Sequence, residues 1–168
     1  MKIAALILLT VLFAFPAFVK AENPANNDTT GKKCSYYLQT SYGASILFGK
    51  TSLSSFSIVN GIRVNRTFAL GLGANLEADA NRLWLPVYLH FNVNLLKKRF
   101  TPVVIIECGS GVGLKSMQPL IYGSTQLGLS YYLNNKLGLL FAWGWKTYYA
   151  VDNDNLFNGL VLRGGLTF

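Results

Sequence analysis

Leu160-Val161-Leu162-Arg163-Gly164-Gly165-Leu166-Thr167-Phe168 is the stretch on which the reading of this chain turns. Leu160, Leu162, Leu166 and Phe168 share one parity, while Arg163, Gly165 and Thr167 share the other. Successive side chains of a strand point to opposite faces, so this is a strand with one apolar face and one polar or small face. An aromatic residue closes it.

The same alternation recurs upstream. Leu83, Leu85, Val87, Leu89, Phe91, Val93 and Leu95 interleave with Trp84, Pro86, Tyr88, His90, Asn92 and Asn94. Leu137, Leu139, Phe141, Trp143, Trp145 and Tyr149 oppose Gly138, Ala142, Gly144, Lys146 and Tyr148, and Phe68, Leu70, Leu72 and Leu76 oppose Thr67, Gly71, Gly73 and Asn75. No helical period fits these runs, and their glycines weaken any helix. Eight such segments are expected, at 36–48, 54–64, 67–78, 83–96, 100–114, 119–133, 136–150 and 157–168. Each is near or above the 9–11 residues a tilted strand needs to cross a bilayer. Asn60 breaks the apolar parity of the second segment, which reads either as a β-bulge or as a weaker claim to a strand there.

The non-apolar face decides between a soluble and a membrane sheet. It carries Tyr37, Gln39, Ser41, Arg63, Glu77, His90, Asn92, Asn94, Glu107, Ser124, Gln126, Lys146 and Arg163 among many glycines. That is too poor in Lys and Glu for a solvated surface. A soluble lipid carrier would be apolar inside and charged outside; this chain reads as the reverse.

Composition agrees: 51% hydrophobic, 14% aromatic, only 13% charged, with 16 glycines. Residues 1–21 have the parts of a secretory signal peptide: Lys2, an apolar core from Ile3 to Phe18, and small residues in Val19-Lys20-Ala21. Cleavage is expected before Glu22, followed by a polar leader over 22–35 and a barrel over 36–168. No later apolar run approaches the ~20 residues of a spanning helix. An apolar exported chain without such a helix has one common solution, a closed barrel, because lipid tolerates no unpaired strand edge. The expected fold is therefore all-β, an eight-stranded antiparallel up-and-down transmembrane β-barrel.

Net charge is +8. Export argues against nucleic acid as the partner. Lys32, Lys33, Lys50, Lys97, Lys98, Arg99, Lys115 and Lys136 fall at expected strand ends and turns, where they either face lipid phosphates or are simply solvated. Asn65-Arg66, Lys97-Lys98-Arg99 and Asn134-Asn135 read as tight turns, and the intervening connections as mostly longer, an alternation that assigns them to opposite membrane sides. Outward-parity Tyr36, Phe68, Phe100, Tyr131 and Phe168 fall near one set of strand ends, and Phe48, Phe56, Trp145 and Tyr149 near the other. Two aromatic belts around an aliphatic waist are expected. Cys34 precedes the first segment and Cys108 lies on the apolar face of the fifth, depths that do not suit a disulfide.

At this point the sequence resembles the small outer-membrane β-barrel family of Gram-negative bacteria. The resemblance rests on Asn60-Gly61-Ile62-Arg63-Val64-Asn65, Leu70-Gly71-Leu72-Gly73, Leu85-Pro86-Val87-Tyr88-Leu89, Lys97 to Pro102, and Gly164 to Phe168. It implies residence in the bacterial outer membrane, contact with membrane lipids including lipopolysaccharide, and insertion by the barrel assembly machinery through the C-terminal strand. Its motifs are architectural and specify no reaction.

An eight-stranded barrel is just wide enough for side chains to fill. The inward charges Arg63, Glu77, His90, Glu107, Lys146 and Arg163, with Asn92, therefore read as a packed polar network, in which Glu107–Arg163 and Glu77–Lys146 lie at matching depths. A monomer with a structural or interaction role is expected, with no catalysis, cofactor or metal. The alternatives are a narrow pore, or a small lipid-modifying outer-membrane enzyme using His90. That residue is the only histidine and points away from lipid, with Tyr88 and Asn92 as its same-face neighbours. The run Gly109-Ser110-Gly111-Val112-Gly113 ends a strand with no helix after it, so it lacks the mechanism of a phosphate loop.

Overall fold

The computed structural model describes residues 34–48, 51–64, 67–79, 82–114, 118–134, 137–152 and 154–168. The signal peptide expected over 1–21, and all of the leader expected over 22–35 except its last two residues, lie outside the described residues. Eight strands follow in chain order: β1 Cys34–Leu47, β2 Thr51–Val64, β3 Phe68–Ala78, β4 Leu83–Asn94, β5 Phe100–Gly113, β6 Pro119–Tyr132, β7 Gly138–Ala150 and β8 Asn155–Thr167. Each pairs antiparallel with its neighbours, and β8 returns to β1 to close the barrel.

Following directly opposed residues once around shows the stagger. The path runs Cys34, Val64, Phe68, Val93, Val104, Leu127, Trp143, Leu162 and back to β1 at Ala44, ten residues beyond its start. With eight strands, that shear tilts each strand by roughly 40° to the barrel axis. Residues far apart in sequence depth are thereby brought to one level.

The interior follows from the alternation. Inward residues such as Gln39, Glu77, His90, Gln126 and Lys146 are fully buried, whereas outward Leu70, Leu89, Ile106, Leu127 and Leu162 are 42–54% exposed. The outer wall is thus one continuous apolar band, far larger than the patches soluble monomers tolerate. Aromatic rings inside need room. A Cβ on Gly73 would stand 2.3 Å from Cε2 of Tyr88, and one on Gly109 would stand 2.6 Å from Tyr88 Cα. Tyr88 pairs across the sheet with both positions, so the absent side chains let its ring lie along the wall.

Four expectations are corrected. Asn60 causes no bulge: it pairs in unbroken register with Leu38 and Leu72, and is only 5% exposed. The interruption lies elsewhere, between β3 and β4, where the pairing lapses opposite Asn75 and Leu76. Pro86 has no N–H to donate there. The tight and long turns do not alternate either. Connections at both ends run three to five residues, because β2 begins at Thr51 and β8 at Asn155, earlier than apolar content alone indicates. Cys34 opens β1 opposite Val64 instead of preceding it; both cysteines are free and exposed.

The waist is also less aliphatic than expected. Tyr36 is half-buried and Phe68, Phe100, Tyr131 and Phe168 are exposed near the rim where β1 starts and β8 ends, here the terminal rim. Phe48, Phe56 and Trp145 are exposed, and Tyr149 half-buried, towards the opposite, distal rim. Between them Tyr42, Phe91, Phe141 and Trp143 are exposed as well.

Candidate functional site

Two carboxylates organise the interior. Glu107 on β5 receives both amino groups of Arg163 on β8, Nη1 to Oε1 at 2.7 Å and Nη2 to Oε2 at 2.9 Å. His90 Nδ1 lies 3.1 Å from Oε1. Tyr122 donates its hydroxyl to Oε2 at 2.5 Å, and Gln126 Nε2 stands at 3.3 Å from the same oxygen. A bidentate guanidinium with added donors is the arrangement in which a buried carboxylate holds its charge.

Glu77 on β3 forms the second centre nearer the distal rim. Its Oε1 takes Lys146 Nζ at 2.6 Å and the amide of Asn75, and its Oε2 takes the Tyr148 hydroxyl. Lys146 also donates to Ser45 Oγ at 3.1 Å. Rings connect the two centres and continue towards the distal rim: Tyr88–Tyr122 at 5.2 Å, Tyr122–Tyr148 at 5.4 Å, Trp84–Tyr148 at 4.7 Å and Trp84–Phe157 at 5.7 Å between centroids. The Arg82 guanidinium caps Phe157 at 5.0 Å.

Glu77, His90, Glu107, Lys146 and Arg163 therefore fall into these two centres. Asn92 belongs to a third group, donating to the Tyr37 hydroxyl at 3.2 Å, which in turn bonds Gln39. Arg63 stands apart. It lies at the terminal mouth, its guanidinium 4.9 Å from the Tyr37 ring and 5.4 Å from the Tyr132 ring, with no carboxylate partner among the described residues. Tyr122, Tyr148, Trp84 and Tyr132 were not singled out from sequence. The signal was available for all four: Tyr122 and Tyr132 share parity with Ser124 and Gln126, Tyr148 with Lys146, and Trp84 with His90.

The arrangement offers little to a reaction. His90 has a carboxylate beside it, as a general base requires, but it is completely buried and stacked 6.1 Å from Tyr37. None of its described contacts is a serine or cysteine nucleophile. No three His, Cys, Asp or Glu among the described residues are grouped to hold a metal.

By sequence, no family model and no curated protein matches the chain. Its structure does find counterparts. Neisserial surface protein A, NspA, aligns at 12% identity over 80% of this chain and 97% of its own, with a TM-score of 0.60. The fold is that of a small outer-membrane β-barrel. Ail, the attachment invasion locus protein of Yersinia pestis, solved with the heparin analogue sucrose octasulfate, aligns at 9% identity over 80% of this chain and 97% of its own, at 0.47. A chain from the de novo design of transmembrane β-barrels aligns at 14% identity, covering 84% and 98%, at 0.45.

Proposed function

We propose that this protein is an integral outer-membrane β-barrel with a structural or interaction role in the bacterial envelope, without catalysis. The observation that carries the reading is the division of the sheet: apolar side chains clothe the outside, and the polar set is enclosed, with both of its buried carboxylates held by cations within the barrel. Glu107 and Glu77 are each bonded to a cation and to a tyrosine. Groups so engaged hold strands in register, since a one-residue slip would carry them into lipid. A pore needs an open axis, and buried rings in mutual contact, Tyr88, Tyr122, Tyr148 and Trp84, occupy the interior. The partners of this reading are membrane lipids, with lipopolysaccharide at one rim, and the barrel assembly machinery, to which the β8 strand is presented; the barrel acts as a monomer.

The test is a heat-modifiability gel on fractionated membranes. A folded barrel runs faster unboiled than boiled and sediments with the outer membrane. A protein recovered in the soluble fraction, or one whose mobility is indifferent to boiling, contradicts the reading.

A further inference from the structure

The terminal mouth holds a cavity of about 250 Å³ lined by Arg63, Leu96, Lys97, Lys98, Arg99, Tyr132 and Asn134. Four of these side chains are cationic and none is acidic. Arg63 is the buried member, 9% exposed, and its Nε has no hydrogen-bond partner. Lys97, Lys98 and Arg99 form the exposed turn between β4 and β5. Like charges gathered in a half-enclosed space repel, and a buried guanidinium without an anion is unfavourable. Among the described residues the other two buried Lys and Arg side chains, Lys146 and Arg163, each have a carboxylate within 2.7 Å.

We propose that this mouth is a binding site for a phosphate group, carried by the head group of an acidic phospholipid in the leaflet at the terminal rim. The inference rests on the membrane reading above. Three observations select the ligand. A guanidinium from β2 and the ammonium and guanidinium groups of the β4–β5 turn match the tetrahedral oxygens of a phosphate. The cationic turn is flanked by exposed Leu95, Leu96 and Phe100, with exposed Tyr131 and Leu133 across from it, so its charges stand where the apolar wall ends and head groups begin. The volume is below the roughly 300–1,000 Å³ of drug-sized ligand sites, which suits a head group better than a sugar chain. Tyr37 and Tyr132 flank the guanidinium with their rings and leave its edge for the anion.

Barrel purified in a zwitterionic detergent, with its fold verified by mobility on unboiled gels, is titrated with phosphatidylglycerol or phosphatidylcholine. Bound lipid is counted by native mass spectrometry, with and without inorganic phosphate as competitor. Phosphatidylglycerol is expected to bind at least about tenfold more tightly than phosphatidylcholine, since each basic residue near an anionic head group favours it by a factor of several. The exposed-turn variant Lys97→Gln/Lys98→Gln/Arg99→Gln, which leaves the strands untouched, should abolish that preference, and Arg63→Gln should weaken it. Equal binding of the two lipids by a correctly folded barrel, or a preference that survives in both variants, overturns the site and leaves the barrel reading standing. Binding of inorganic phosphate without a lipid preference overturns the lipid as its source. A protein that shows no folded band overturns the barrel reading, and the site with it.

Discussion

Arg163 and Arg63 both project into the barrel, from β8 and β2, and both are at least nine-tenths buried. Arg163 is clamped on Glu107 by two short hydrogen bonds in the middle of the lumen. Arg63 sits at the mouth between two tyrosine rings, beside a turn of three further cations. The middle of the interior is neutralised from within, and the mouth is not. Internal neutralisation marks groups that hold the wall together, whereas an excess of one sign at an opening marks groups that await something from outside.

The contrast has measurable consequences. Glu107→Leu leaves Arg163 buried without its counter-charge and should lower unfolding stability in lipid vesicles by about 3–5 kcal/mol. Arg163→Gln should cost a comparable amount, while Arg63→Gln should cost under about 1 kcal/mol, because no carboxylate is stranded by its removal. Equal losses for the two arginines in a denaturant titration would erase the distinction between middle and mouth. A smaller effect is expected from packing. Gly73→Ala drives a methyl into the Tyr88 ring and should destabilise by roughly 1–3 kcal/mol. Gly123→Ala meets nothing within 4 Å and should stay within about 0.5 kcal/mol of wild type. Smallest of all, the exposed Lys97→Gln/Lys98→Gln/Arg99→Gln turn should leave the unfolding midpoint unchanged, within about 0.5 kcal/mol.

Much of the architecture was legible in the residues, for a physical reason. A membrane barrel with a filled lumen has two unlike solvents on its two faces, so period-two alternation is enforced along almost every strand. Leu160 to Phe168 and Leu83 to Leu95 announce both their conformation and their facing. The strand ends were less readable: Ser52 lies on the outward face, yet belongs to β2, because backbone pairing with Ile46 carries the hairpin past its apolar part. The Glu107–Arg163 and Glu77–Lys146 contacts could be approached through depth, since the shear of ten residues moves each strand by a regular step. Tyr122 and Tyr148 as carboxylate partners required the same counting applied to residues that look like core filler. The mouth cavity was hidden for a different reason. Arg63 and Tyr132 are on strands far apart around the ring, and no linear pattern shows that one guanidinium reaches the other's ring.

The claim on which the rest depends is that the lumen is a closed polar plug with no path through it. Purified barrel in planar phosphatidylcholine bilayers, under an applied voltage, addresses it directly. Currents indistinguishable from bare lipid are expected. Reproducible unitary steps that scale with ion concentration would contradict the plug and show the interior to be a conduit.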